Sequence, residues 1–318
     1  MTWLAWRQHR QQALFGAVSF ALLGVFLLLT GRHMHSVFDS SGLSHCLATR
    51  NHGDCGDFES SFESRFGSLR QLSPFLMVLP GLVGLFWGAP LLARELEQGT
   101  HRLVWTQDVG RLRWLAAKLG FVLGLTLVFA FAFSALITWW LGPLNASTGS
   151  RFQPGIFDQQ GIVPVAYTVF ALALGIAAGA ILGRTMPAMA VALVGFVVPR
   201  LLVGGFLRRH YEAPVTQHIV PLPGVDVNHP GAWVLHSYTL DGSGHQVPLF
   251  ATGSACSANG ATPRALAACI HRHGFVNVAT LQPAGRFWLF QGIETALYGG
   301  VALALLALAV YWIDRRVS

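Results

Sequence analysis

Charged side chains are scarce in this sequence. Asp, Glu, Lys and Arg make up 11% of the 318 residues, whereas hydrophobic residues make up 53%, and the mean hydropathy is +0.50. Soluble domains carry about 25% charged residues. The balance therefore excludes an ordinary soluble domain and is typical of a polytopic membrane protein.

Sequence motifs for catalysis are missing as well. Lys118 is the only lysine, so the chain cannot form a P-loop and has no ATPase site of its own. No zinc-protease motif and no nucleophile-elbow motif occurs. The histidine pairs His33/His35 and His271/His273 could bind a transition metal. Scattered surface histidines are the simpler interpretation, so we predict no metal site and no catalytic residue.

What the chain does contain is a series of long apolar runs. A transmembrane helix needs about 20 apolar residues, and six runs have that character. The fourth and fifth are separated only by residues 183–186, so they form either a tight helical hairpin or one broken element. The six runs cover residues 13–30, 73–93, 117–141, 163–183, 187–207 and 288–312.

The distribution of arginine predicts the orientation of these runs. Short, densely basic segments stay on the cytoplasmic side of a membrane. Such segments are the N-terminus, the loop 94–118, Arg184 and the C-terminal tail. We therefore expect a membrane protein with both termini in the cytoplasm. The net charge of +7 then reflects topology and requires no nucleic-acid partner.

The N-terminus and the outer loops have distinct characters. Residues 1–12 combine tryptophans with arginines and are expected to form an amphipathic helix in the inner interface. All four cysteines fall in the outer loops 31–72 and 208–286. Two local pairs on the oxidising side indicate the disulfides Cys46–Cys55 and Cys256–Cys269, with free thiols as the alternative.

The segment 208–286 is expected to be a small folded cap. Two strands flank the turn 241–244, and a helix begins at Pro263, after the N-cap Thr262, and stops at Gly274. The predicted fold is thus an all-α polytopic membrane protein with six transmembrane helices and a small disulfide-containing α+β extracellular cap between helices five and six. Residues 13–207 hold the first five helices, and residues 287–318 hold the sixth helix and the tail.

Two features inside the spans suggest contacts between helices. Gly175, Gly179 and Gly183 recur every four residues, which lets helix backbones approach closely; packing within one bundle is favoured over dimerisation. Arg200 and Glu294 are charged residues at matching depth, about 10 Å below the outer boundary. They either form a buried pair or face a hydrated cavity or headgroups independently.

The cytoplasmic loop 94–118 has an unusual concentration of charge. The helix of the second span is expected to end at Gly99, and Thr100 can cap a short following helix that offers Leu103 and Trp105 as apolar contacts. Such a helix either docks on a partner or rests on lipid headgroups.

This loop, "RELEQGTHRLVWTQDVGRLRWLAAKLG", resembles the cytoplasmic loop of ABC-2-type transporter permeases. The six spans, the interfacial N-terminal helix and the inner termini also match that family. "QPAGRFWLFQGIE", which enters the sixth span, further resembles a subgroup common in actinobacteria. The cap departs from the family pattern, in which short re-entrant helices often join the last two spans.

The resemblance implies that residues 95–107 form a coupling helix that inserts into a separate ATPase subunit. Polar and apolar contacts with that subunit would come from Glu95, Glu97, Gly99, Thr100, Arg102, Leu103 and Trp105. ATP and magnesium would be bound by that subunit, with no cofactor in this chain. Two permease copies, identical or paralogous, would pair with two ATPases in the lipid membrane.

The resemblance implies the export or flipping of an amphiphilic or hydrophobic substrate such as a drug, an antibiotic or a lipid. One alternative is a membrane receptor or sensor, in which the cap binds a ligand and the loop signals to a cytoplasmic partner. A membrane-embedded enzyme that uses the outer histidines is remote, because the sequence offers no acid–base constellation.

Overall fold

The structure is a computed structural model. It describes residues 2–49, 55–99, 110–149, 151–221, 231–248, 255–256 and 263–316.

Helices dominate the described residues. Short 3₁₀ turns cover 67–72, 208–210 and 284–286, and π-helical turns cover 84–88 and 203–207. The α-helices are α1 (Thr2–Ser40), α2 (Leu43–Ala48), α3 (Gly56–Phe66), α4 (Ser73–Leu76), α5 (Leu79–Val83), α6 (Ala89–Glu97), α7 (Arg111–Thr148), α8 (Pro154–Phe157), α9 (Val163–Leu182), α10 (Thr185–Leu202), α11 (Pro263–His273) and α12 (Phe287–Arg315).

Five helical stretches among the described residues are long and apolar enough to cross a membrane. The sequence predicts six, and the difference lies in the run 73–93. There the chain is divided into α4, α5, a π-helical turn and α6, so no single helix reaches the required length. Prolines at 74, 80 and 90 interrupt the helical hydrogen bonds in this region. The five stretches are Val18–Ser40, Leu112–Thr148, Val163–Leu182, Thr185–His210 and Ala284–Arg315.

The N-terminal residues belong to α1. The segment 1–12, expected as a separate interfacial helix, joins the first apolar run without a break from Thr2 onward. No glycine or proline precedes Gly16, so nothing in the local sequence ends the helix. At its other end α1 runs to Ser40, ten residues past the predicted boundary, and α2 follows after a turn at Gly42.

The helix α9 is the central element of the fold. Most of its residues are buried. It ends at Gly183, whose φ of 60° lies in the left-handed region, and α10 begins at Thr185. The rings of Phe170 and Phe196 stack with their centroids 6.4 Å apart. Since these residues lie at equal distances from the turn, the two helices form the tight hairpin rather than one broken element.

Glycines bring α9 close to the segment 84–93. A Cβ atom built at Gly175 would lie 2.7 Å from the backbone nitrogen of Ala89, and one at Gly179 would lie 2.5 Å from the carbonyl oxygen of Ala89. A Cβ atom at Gly88 would lie 2.7 Å from the carbonyl oxygen of Leu172. Any larger side chain would separate the backbones. Gly183, predicted with this group, ends the helix instead.

A four-stranded antiparallel sheet lies between α10 and α12 in the chain. Its strands are β1 (Val215–Ile219), β2 (Trp233–Leu240), β3 (Gln246–Val247) and β4 (Val276–Gln282), in the order β1-β4-β2-β3. The β2–β3 hairpin and α11 match the predicted elements, whereas β1 and β4 were not predicted. Disulfides join Cys46 to Cys55 and Cys256 to Cys269.

Candidate functional site

The end of α6 is joined to the start of α7 by an ion pair. Lys118 Nζ lies 2.6 Å from Glu95 Oε1, and both side chains are mostly buried. The lysine also lies 5.2 Å from the ring centroid of Trp114. Glu95, predicted to face a partner protein, is thus engaged within the chain.

The neighbouring acid joins α6 to α10. Glu97 Oε2 accepts hydrogen bonds from the Thr185 backbone nitrogen at 3.0 Å and from the Thr185 hydroxyl at 2.8 Å. The carboxylate therefore caps the N-terminus of α10, where free N–H groups favour a negative charge. These hydrogen bonds, the backbone one first, lower the pKa of Glu97 below its usual 4.5.

The glycine after α6 takes its expected conformation. Gly99 has a φ of 67°, and its N–H donates to the carbonyl of Leu96 at 3.2 Å. A left-handed glycine is a common helix end. The remaining predicted coupling residues, Thr100, Arg102, Leu103 and Trp105, lie outside the described residues.

At the opposite end of α9, the predicted charge pair is replaced by a larger network. Arg200 does not pair with Glu294. Its guanidinium lies 2.9 Å from Asp158 Oδ2 and donates to the carbonyl of Met77 at 3.1 Å. The partner of Glu294 is Arg208, with Nε 2.6 Å from Oε1. Arg208 also contacts Asp158, so all four charges belong to one cluster.

Two tyrosines complete this cluster. The hydroxyl of Tyr167 donates to Glu294 Oε2 at 2.5 Å and lies 3.3 Å from Asp158 Oδ1. The hydroxyl of Tyr211 donates to Glu294 Oε1 at 3.3 Å. The guanidinium of Arg200 stacks 4.1 Å above the Tyr167 ring. The cluster therefore joins α9, α10, α12 and the segment after α8.

Burial and charge balance show what the cluster does. The side chains of Glu294 and Arg208 are 0% and 1% exposed, and those of Asp158 and Arg200 are 10% and 9% exposed. Two positive and two negative charges neutralise each other. Buried ions are tolerated when they are paired and hydrogen-bonded. Since each carboxylate contacts a guanidinium, the arrangement fixes helices in place and supplies no free acid or base.

The sequence did not identify Asp158 and Arg208 as members of this cluster. Asp158 lies in a connection between spans, and Arg208 was assigned to the first residue of the cap. The usable signal was the scarcity of charge, because in so apolar a chain a charged residue beside a span requires a partner of opposite charge.

A glutamine one turn before Glu294 fixes the start of α9. Gln291 is fully buried, and its Oε1 accepts hydrogen bonds from Ile162 N and Val163 N, both at 3.0 Å. Its Nε2 donates to the carbonyl of Phe157 at 3.2 Å. Two residues of the quoted "FQGIE" stretch, Gln291 and Glu294, thus position the α9 terminus and the charge cluster.

The sheet is attached beside the same cluster. Gln282 donates to the carbonyl of Glu212 at 2.7 Å, and Arg286 donates to the carbonyl of Ala213 at 2.7 Å. Cys256, Cys269 and His273 are close enough to share an ion, but the two sulfurs are bonded to each other.

Comparison with known proteins gives one match. Residues 17–208, more than half of the chain, match the family model for ABC-2 membrane transporter-related proteins. No curated protein and no solved structure matches the chain.

Proposed function

Because the chain belongs to the ABC-2 membrane transporter-related family, whose members supply the membrane component of transporters, we propose that it is the permease subunit of an ATP-driven exporter. A separate ATPase hydrolyses ATP, and residues 95–107 dock on that subunit. The functional complex contains two permease chains and two ATPases in the bacterial plasma membrane. The exported molecule is amphiphilic or hydrophobic. The chain crosses the membrane six times, and the second passage is the divided segment 73–93.

The observation that carries the proposal is the position of Glu95 and Glu97. They lie at the start of the proposed docking segment 95–107 and are bound to Lys118 and Thr185. A force applied to the loop by the ATPase would therefore act on α7 and α10 together. At its far end α10 leads to Arg200 and the charge cluster. The structure thus offers mechanical connections from the loop to the opposite end of the bundle.

The orientation of the chain belongs to the same proposal. With the loop 94–118 on the cytoplasmic side, both termini are cytoplasmic, and the sheet between α10 and α12 forms an extracellular cap. The charge cluster then lies beneath the cap. Movement of α10 would strain the cluster and change the outer end of the transport path.

The first test separates docking from transmission of force. Tagged wild-type protein, purified from native membranes in a mild detergent, should retain an ATP-hydrolysing subunit. Leu103→Asp should lose that subunit, because an ion cannot fill an apolar groove. Glu97→Gln should keep the subunit but lower the resistance or transport that the wild-type protein confers. Asp57→Asn, which changes an exposed acid in α3, is the matched control and should behave as wild type.

Two results would contradict the proposal. One is wild-type protein that never retains an ATPase under conditions that preserve its fold. The other is normal transport by both Leu103→Asp and Glu97→Gln.

A further inference from the structure

A large apolar cavity lies between α1, the segment 79–87 and α7. Its volume is about 640 Å³, within the range of about 300–1,000 Å³ that is usual for sites that bind drug-sized molecules. Ser19, Phe20 and Leu23 form the α1 side, and Thr168 of α9 closes one wall. The cavity lies within a single chain, so a second copy is not needed to form it.

The lining of this cavity selects an uncharged molecule. Every lining residue is apolar, aromatic, a hydroxyl-bearing side chain or glycine, and none is charged. Moving an ion into such surroundings without a partner costs several kcal/mol. Five of the fifteen lining residues are aromatic, and Phe20 and Phe129 meet edge to face with centroids 5.2 Å apart. Flat apolar groups therefore find complementary surfaces here.

The cavity can be reached from the side of the bundle. Leu82 and Phe86 line it and are 37% and 53% exposed. Both belong to the divided segment 79–88, in which α5 is followed by a π-helical turn. A molecule dissolved in the bilayer could enter here without crossing water.

Thr126 adds a polar group that the protein itself does not satisfy. Its side chain lines the cavity and is 2% exposed, and its hydroxyl finds no hydrogen-bond partner within the described residues. Other threonines in these helices bond to the carbonyl one turn earlier, as Thr168 does to Pro164 and Thr138 to Ser134, both at 2.7 Å. A buried hydroxyl without a partner is unfavourable. A ligand oxygen would remove that cost.

We propose that this cavity binds an uncharged, drug-sized, mostly apolar molecule through stacking on its aromatic walls and one hydrogen bond to Thr126. The proposal rests on the proposed transport function and names the substrate class of that transporter. The molecule enters from the bilayer past Leu82 and Phe86. A charged molecule of the same length is excluded by the lining.

The test measures binding to the purified chain in lipid nanodiscs without any ATPase. The probe is an aryl-substituted alkanol that carries a photoreactive diazirine, and its trimethylammonium analogue of equal length is the charged control. Saturable labelling by the alkanol should map to peptides containing Phe86 and Phe129, and the analogue should not label them. Excess unlabelled alkanol should prevent the labelling.

Four substitutions refine the test. Thr126→Val removes the hydroxyl at constant shape and should weaken alkanol binding about fivefold, the effect of one hydrogen bond. It should not lower the thermal stability of the empty protein. Thr126→Ser should retain wild-type affinity. Ala130→Leu narrows the cavity and should weaken saturable labelling, whereas Ala132→Leu, on the exposed side of the same helix, should not.

Several outcomes would overturn the proposal. They are labelling that does not saturate, equal labelling of the Ala130→Leu and Ala132→Leu proteins, or equal binding by the Thr126→Val protein. Phospholipid that co-purifies and that the alkanol cannot displace would make the cavity a lipid site instead. Because the assay contains no ATPase, these outcomes are independent of the co-purification test, which addresses the transporter function alone.

Discussion

Glu294 is an ion with no exposed surface that is held by four hydrogen bonds. Arg208 supplies two of them, at 2.6 and 3.1 Å, and Tyr167 and Tyr211 supply the others. Each oxygen of this carboxylate accepts two hydrogen bonds, so neither is free to bind a metal without breaking a contact. Its role is to hold α12 against α9 and the end of α10.

Loss of the Glu294 charge should destabilise the fold strongly. We expect Glu294→Gln to lower the free energy of unfolding by about 3 kcal/mol or more, because it leaves the buried Arg208 with less compensating charge. Unfolding in detergent, followed by circular dichroism, measures this change. Asp39→Asn, at an exposed site near the end of α1, is the control and should have little effect.

A double-mutant cycle identifies the partner of Glu294. The coupling energy of Glu294→Gln with Arg208→Gln should exceed its coupling with Arg200→Gln, because Arg208 contacts the carboxylate directly and Arg200 contacts Asp158. A larger coupling energy with Arg200 would contradict this assignment and support the Arg200–Glu294 pair that was predicted from their equal depth in the membrane.

The contribution of the Glu97 cap to the stability of the fold should decrease at acidic pH. Its pKa is lowered in the folded protein by hydrogen bonds from Thr185. The carboxylate therefore favours the fold at pH values above its unfolded pKa of about 4.5, and this contribution is lost as the pH falls through the lower folded pKa. We expect the stability difference between wild type and Glu97→Gln to be constant from pH 8 to 5 and to shrink below pH 4.5. A difference that grows on acidification would contradict this assignment.

At the scale of elements, sequence patterns predicted most of the helices and little of their pairing. Apolar runs located α9, α10 and α12 because a helix that spans a membrane must be apolar over about 20 residues. Strands β1 and β4 were not predicted, because a short strand in a polar segment has no comparable hydrophobic pattern. Strand β1 is almost fully exposed. Asp158 and Arg208 were not predicted as charge partners, because they come together in space only through the hairpin of α9 and α10.

The spacing of the glycines predicted that α9 packs closely against another helix, but it did not identify that helix. The helix α9 packs on the divided segment 84–93, and Gly175 and Gly179 allow backbone contact there. We expect Gly175→Ala to lower the free energy of unfolding by about 1–3 kcal/mol, because the added methyl group meets backbone atoms. Gly120→Ala is the matched control in α7, where nothing lies within 4 Å of the added carbon.

The control variant should not lower the free energy of unfolding. Alanine is favoured over glycine in a helix by about 1 kcal/mol, so Gly120→Ala should be neutral or stabilising. Detergent unfolding of the two variants checks both signs. Equal effects at the two positions would show that the observed packing does not limit the distance between the helices.

At the scale of the molecule, α9 separates two ends with different contacts. Its 20 residues span about 30 Å, which equals the thickness of a bilayer core. Glu97 lies at one end, beside Thr185, and the sheet and the charge cluster lie at the other. If α9 crosses the membrane, the loop after α6 and the sheet must face opposite sides.

Single cysteines can determine which side each end faces. The native cysteines are bonded in pairs, so without a reductant they should not react with a maleimide, and unmodified protein serves as the blank. Gln217→Cys lies on the exposed strand β1, and Gln98→Cys lies on the exposed end of α6. In intact cells a membrane-impermeant maleimide should label Gln217→Cys, whereas Gln98→Cys should react only after permeabilisation. The reverse pattern would invert the proposed topology and place the loop where no ATPase can reach it. Labelling of both variants in intact cells would show that α9 does not separate the two ends across the membrane.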